Sequence, residues 1–512
     1  MMNKEINRAA KAALTLILTA FSISAFSQQA EKPVKNWYNL DLKTDGVFGI
    51  SMEKTYNELL KGKTADKVIV AVIDGGVDNG HEDLKAVIWS NAKEKAGNKK
   101  DDDGNGYADD VHGWNFMGSS KGSFLLDNTD QLRELRAELK KDAGSAKSKS
   151  LLQAVNKRRE ELASYGKTLE PQLAAVDAII KNMGKTEPTE SDFRAYRPRN
   201  DQETKALVAI VRSYKDNDDY KIYREFLSQK YREVMEQTNF WLNIDYNPRA
   251  DKEFEKPFYG NGDVKGEDAL HGTHTAGIIA AVRDNGIGMN GVADQVWIMP
   301  VRAIPKGEGL DSEIAKAIRY AADNGAKVIN MSYGKASSPE RKLVDDAVKY
   351  AMQKDVLFIH AAGNEGQEQQ TEYGYPSRHY LDGGLAEAWI EVGASGPRDD
   401  ENIRAWFSNY GKQTVDVFAP GVDIYSTTPD NKYAYESGTS MAAPVVSGLA
   451  AMIRAYYPKL TAVQVKEIIM KSVTRVNHKA KAWDGASIDF SSLCVSGGVV
   501  NAYEAFQLAS TY

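Results

Sequence analysis

The stretch Lys67-Val68-Ile69-Val70-Ala71-Val72-Ile73-Asp74 decides the fold class. A continuous apolar, largely β-branched run of this length, without polar alternation, suits a strand covered on both faces. Similar runs recur at Val296–Val301, Val328–Met331, Val356–His360, Ala388–Val392 and Val415–Phe418. Helical patterns at Ile314–Asn324, Arg341–Lys354 and Ser440–Tyr456 separate several of them. Strands alternating with helices predict an α/β fold, a mainly parallel sheet with helices on both faces. Ligands of such sheets bind beyond the carboxyl ends of the strands. Asp74 and Asn364 each fall just after a predicted strand.

The chain has 512 residues, enough for a large domain with additions. Its 42% hydrophobic and 27% charged residues are an ordinary globular balance, and a net charge of −6 gives no reason to expect nucleic acid or an anionic membrane as partner. Lys4, Arg8 and Lys11 precede the apolar run Ala12–Phe26, and the small residues Ala25 and Ser27 suit a cut before Gln28. Residues 1–27 read as a secretory signal peptide, so the protein is expected to be exported, periplasmic or extracellular, with no stable membrane span once it is removed. Cys494 is the only cysteine, which excludes an intrachain disulfide and a lipid-bearing cysteine at the cut. Bound calcium is one other way to secure an exported protein.

Three short motifs carry the chemistry. Glu436-Ser437-Gly438-Thr439-Ser440-Met441-Ala442-Ala443-Pro444 places Ser440 at the start of an Ala-rich helix. Free N–H groups there stabilise developing negative charge, as an acyl-transfer nucleophile requires. Taken alone, the segment is equally an ordinary helix cap. Upstream stand Ala71-Val72-Ile73-Asp74-Gly75-Gly76-Val77-Asp78 and His271-Gly272-Thr273-His274-Thr275-Ala276-Gly277. These signatures, in the order Asp, His, Ser, resemble the subtilisin family of serine endopeptidases, the subtilases, over about residues 65–118 and 251–508. The resemblance implies a subtilisin-like three-layer fold and peptide-bond hydrolysis through an acyl-enzyme, with protein or peptide substrates. It assigns Ser440 as nucleophile, His271 as general base and then acid, and Asp74 as the orienting carboxylate. A zinc reading of His271 and His274 lacks further ligands nearby, and His274 reads as a buried structural residue. One departure stands out: the family has Ser or Thr where Gly75 follows the acid.

Ala361-Ala362-Gly363-Asn364-Glu365-Gly366 resembles the family's oxyanion-hole segment, with the Asn364 amide and the Ser440 N–H as donors. Ser332-Tyr333-Gly334 resembles the strand that pairs with an extended substrate, faced by Gly309 and Leu310. Ala361, Ala362 and Gly363 would wall the S1 pocket and Gly374 would form its base. A deep pocket for large apolar or aromatic side chains is expected, with Glu365 able to favour a basic P1 residue. Asp101-Asp102-Asp103-Gly104-Asn105-Gly106-Tyr107-Ala108-Asp109-Asp110 resembles most of a calcium loop: Asp101, Asp103, Asn105 and Asp109 offer side chains and Tyr107 a carbonyl. His112 stands where the loop's last Glu would be. A second structural calcium site is implied at Asp83 with Asp284 and the Ile287 and Met289 carbonyls.

His271 lies 197 positions after Asp74, farther than in a typical subtilisin. Between them, 119–250 is rich in charged residues. Its apolar stripes are Leu132, Leu135, Leu139; Leu169, Leu173, Val176, Ile180, Met183; and Tyr220, Tyr223, Leu227, Tyr231, Val234. An inserted α-helical hairpin or small bundle is expected, either passive or acting as a lid or regulator of the cleft. The expected organisation is a signal peptide (1–27), an N-terminal segment (28–65), a first catalytic part (66–118), the insertion (119–250) and a second catalytic part (251–512), with no appended domain. Two alternatives stand beside this one: a subtilase-fold protein that binds peptides or partners with the insertion occluding the cleft, which would need neither the triad nor the oxyanion Asn, and a self-processing or peptide-ligating subtilase, which would use the same residues. The oligomeric state is not legible.

Overall fold

The computed structural model describes residues 32–215, 219–369, 374–482 and 484–512. The expected signal peptide lies outside them. Among the described residues, no helix is long and apolar enough to cross a membrane.

A nine-stranded sheet organises the chain. Its strands are β1 (Val68–Asp74), β2 (Trp114–Asn115), β3 (Val296–Arg302), β4 (Val328–Met331), β5 (Leu357–Ala361), β6 (Trp389–Ser395), β7 (Val417–Pro420), β10 (Thr474–Arg475) and β11 (Gly498–Val499). A hairpin, β8 (Ile424–Thr428) and β9 (Lys432–Glu436), stands apart. The order across the sheet is β10-β11-β7-β6-β5-β4-β1-β3-β2, parallel except for β10 against β11.

Successive side chains of a strand face opposite sides, and β1 accordingly feeds two cores. Val68, Val70 and Val72 pack into one, Ala71 and Ile73 into the other. The first core takes helices α5 (Leu270–Ala280), α8 (Thr439–Tyr456), α9 (Ala462–Lys471) and α10 (Ala502–Ala509). The second takes α6 (Asp311–Asp323) and α7 (Arg341–Gln353). This is the expected three-layer α/β arrangement. The strand order reverses where β1 meets β4, so the crevice for a ligand opens beyond their carboxyl ends.

Four longer helices occupy the stretch between β2 and β3: α1 (Asp130–Asp142), α2 (Ala146–Met183), α3 (Asp201–Lys215) and α4 (Tyr220–Glu236). They enclose a core of their own, with Leu132, Leu162, Val176, Ile179, Phe193, Ile210, Leu227 and Val234. α2 runs 38 residues, through Pro171, where the stripe of Leu169–Met183 alone suggested a shorter helix. Gly166 lets α4 approach closely, since a Cβ there would stand 3.2 Å from Val234 Cγ1.

Candidate active site

Asp74 closes β1, and its carboxylate is buried. It accepts from His271 Nδ1 at 2.8 and 3.0 Å and from the Gly75 N–H at 2.7 Å. A Cβ at position 75 would stand 3.0 Å from the Ile304 carbonyl. Arg302, level with Asp74 on β3 and fully buried, donates Nε to the Gly75 carbonyl at 2.8 Å and anchors this turn. Sequence reasoning missed it; its signal was a lone arginine ending an apolar strand.

His271 sits in the first turn of α5. The next residue, Gly272, permits the approach of α5 to β1, because a Cβ there would lie 2.2 Å from the Gly76 carbonyl. Burial pulls the His271 pKa down, but the charge and hydrogen bond of Asp74, aided by Glu436 and Asp268, outweigh it and leave it raised. His274 is wholly buried, with Nε2 3.1 Å from the Ala434 carbonyl, and burial drives its pKa down to about 3. It is a neutral structural residue.

Ser440 is the second residue of α8, behind Gly438 as cap. Its hydroxyl donates to the Ser332 carbonyl at 2.9 Å, and the Ser332 hydroxyl returns a bond to the Ser440 carbonyl at 2.8 Å. Thr439, also missed in the sequence, fixes the neighbouring amide. Its N–H and hydroxyl both donate to Asn364 Oδ1, at 2.9 and 3.0 Å, and its hydroxyl accepts from Gly363 N–H at 3.1 Å. With Oδ1 so engaged, Asn364 Nδ2 faces the other way. A Cβ built on Gly438 would lie 3.6 Å from Ser440 N and 3.7 Å from Asn364 Nδ2. The two nitrogens expected to donate to an oxyanion thus lie near one another beside Gly438.

Asp74, His271, Ser440 and Asn364 come from β1, α5, α8 and the loop after β5, at the carboxyl end of the parallel strands. The model of the subtilase family matches residues 65–486. The chain belongs to the subtilase family, the subtilisin-like serine endopeptidases. It is 47% identical over 184 residues to a thermophilic serine proteinase of Bacillus sp. (strain AK1), covering 36% of this chain and 42% of that protein. It is 39% identical over 208 residues to subtilisin DY of Bacillus licheniformis, covering 40% and 71%. With thermitase of Thermoactinomyces vulgaris it shares 36% over 252 residues, covering 49% and 77%. The match thus spans less than half of the thermophilic proteinase.

The residues expected to form the S1 pocket lie at or after the carboxyl end of β5. Ala361 and Ala362 are buried, and Gly374 lines a small cavity with His360, Gln369, Glu391 and Thr414. The floor is therefore polar: His360 Nδ1 lies 2.8 Å from Glu391 Oε1. Glu365 is held by Asn409 Nδ2 at 2.6 Å, and burial raises its pKa, which removes it from the simple role of a free acid at the rim.

The metal residues need two corrections. Asp101 and Asp103 converge with Glu94, which the sequence reading missed; oxygens of the three lie within 4.8 Å of one another. Asp109 is turned away, its carboxylate accepting from the Asn98 and Lys99 N–H groups, because the chain takes a positive φ of 59° there. Asn105 Oδ1 accepts from the Tyr107 N–H at 2.7 Å. At the second place, Asp83 is met by Asn285 Nδ2 at 2.6 Å rather than by Asp284, whose carboxylate accepts from Asn290. Asp83 is fully buried, and its Oδ2 has no hydrogen-bond partner. A buried carboxylate oxygen left without a donor fits a cation.

Proposed function

We propose that the protein is an exported serine endopeptidase in which Ser440 attacks the peptide carbonyl, His271 relays the proton and Asp74 holds the imidazole. The observation that carries this reading is the pairing of buried Asp74 with the half-buried His271, together with a helix-start serine and an Asn364 amide oriented by Thr439. An extended substrate would pair its P1 N–H with the Ser332 carbonyl. That displaces the Ser440 hydroxyl from this acceptor and frees it to turn toward His271. His271 Nε2 takes the hydroxyl proton as the oxygen–carbon bond forms, while Nδ1–H stays on Asp74. The oxyanion accepts from the Ser440 N–H and Asn364 Nδ2. The proton then passes from His271 to the leaving amine, and a water repeats the sequence to release the acyl group. Small walls at Ala361, Ala362 and Gly363 with Gly374 below support a roomy S1 pocket of broad preference. Export rests on the signal-like residues 1–27. Labelling with a fluorophosphonate, with the adduct mapped by mass spectrometry, tests the reading: one equivalent on Ser440 is expected, and absence of label refutes it.

The base must be neutral, and its pKa is raised. The acid limb of kcat/KM is therefore expected above about pH 6.5, the ordinary histidine value, with activity lost as pH falls through it. Glu436→Gln removes a negative charge beside His271 and should move the limb to lower pH. An unchanged limb in the pH–rate profile would show that Glu436 has no such influence.

Calcium would be held by Asp83 with Asn285, and by Glu94, Asp101 and Asp103, supplying positive charge that offsets converging carboxylates. Chelation should lower the melting temperature, and Asp83→Asn should reduce that loss. Identical melting curves with and without chelator exclude both sites.

A further inference from the structure

Along the segment after β4, main-chain groups alternate between cleft and interior. The Ser332 carbonyl faces Ser440, and the Tyr333 carbonyl turns inward to His360 Nε2 at 2.9 Å. Gly334 is exposed, and its main-chain groups bond no other protein atom among the described residues. Lys335 again turns inward, exchanging both bonds with Tyr375 at 2.9 and 2.8 Å. The period of two leaves a bound peptide two anchors, Ser332 and Gly334.

Beyond Gly334 the cleft is filled. The Lys335 ammonium, on a side chain only 5% exposed, reaches the opposite rim and donates to the Gly309 carbonyl at 2.8 Å. It also pairs with Asp311 at 2.6 Å and with Asp130, the first residue of α1, at 2.9 Å. Both carboxylates are buried. The helical unit braces the same place: Arg133 donates to the Glu308 carbonyl at 2.9 Å, and the Asp130 N–H donates to Glu308 Oε2 at 2.6 Å. Gly307 backs onto the Asp127 carbonyl, which a Cβ would approach to 2.5 Å.

We propose that the buried Lys335–Asp130–Asp311 bridge is an end wall that closes the acyl side of the cleft after about three residues. The endopeptidase then recognises about three residues on the acyl side of the cut, and the rest of a longer chain leaves the cleft beyond Gly334. A longer chain would need the Gly309 acceptor that Lys335 occupies, and would have to part charges buried together. The proposal rests on the reading of Ser332–Gly334 as the substrate-pairing segment.

The test is a set of fluorogenic peptides with a common P1 residue and leaving group and one to six residues on the acyl side, assayed with the full chain. kcat/KM should rise by about tenfold per residue to the third and gain nothing from the fourth onward. A gain of about fivefold or more on adding a fourth or fifth residue, the worth of a further main-chain hydrogen bond, overturns the wall. Cleavage of no member at any length fails the peptidase reading instead. Lys335→Met, checked for folding by circular dichroism, should extend the rise to a fourth residue; a folded variant with the unaltered profile overturns the role given to Lys335.

Discussion

Ser440→Ala is expected to lower kcat by about 10⁶-fold, the scale of losing the nucleophile in subtilisin itself, while leaving the fold intact. The hydroxyl makes one hydrogen bond to the protein, to the Ser332 carbonyl. Ser440 N–H and the Ser332 hydroxyl bond to the Ser440 carbonyl do not depend on it. The variant should therefore melt close to the parent, and its KM should change far less than kcat. Binding and the oxyanion donors remain, so a residual rate above that in water is expected. Active-site titration and turnover of a fluorogenic peptide measure both. Turnover within tenfold of the parent would place the nucleophile elsewhere.

The second large effect concerns stability. Arg249 is bonded to Glu313 through Nε at 2.8 Å and through Nη2, and to Asp127 through Nη1. Glu313 and Asp127 are 0% and 1% exposed, and Phe124 lies 4.6 Å from the guanidinium. Asp127 leads into α1, and Glu313 sits in α6, so this arginine ties the helical unit to the catalytic body. Arg249→Met leaves the buried Glu313 carboxylate without a cation, whereas Asp127 keeps Arg133 at 3.2 Å, and should cost about 3–5 kcal/mol. Calorimetry should show a lower melting temperature. The double variant Arg249→Met, Glu313→Gln should recover part of the loss, because one uncompensated charge is removed with its partner. If the single variant melts as the parent does, the joint is not held by these charges.

Much of the fold was legible because its signals are local. Buried strands announce themselves as apolar runs: Val328–Met331 matches β4 to the residue, and the others are displaced at their ends, as with Leu357–Ala361 for Val356–His360. Strand ends are set by neighbouring strands, which a run of side chains does not record. The residues proposed to carry the chemistry were legible for a related reason. Asp74, His271, Ser440 and Asn364 each lie in a short motif whose neighbours are constrained with them, as Gly272 is by the Gly76 carbonyl.

Pairings at long range were not legible. Glu94 joins Asp101 and Asp103, and Asn285 displaces Asp284 beside Asp83, because backbone turns at Asp109 and Asp284 carry those side chains away from the places their spacing suggested. Sequence by itself determined the layered α/β class, the order of the Asp74, His271 and Ser440 motifs, and a helical stretch between the first two. Only the tertiary structure decided that this stretch is rooted in buried ion pairs, Asp130 with Lys335 and Arg249 with Glu313. Such a joint depends on opposite charges meeting in a low-dielectric interior, where each is costly alone and favourable only with its partner in place. A charged residue in a sequence reads as a solvated one until folding supplies that partner.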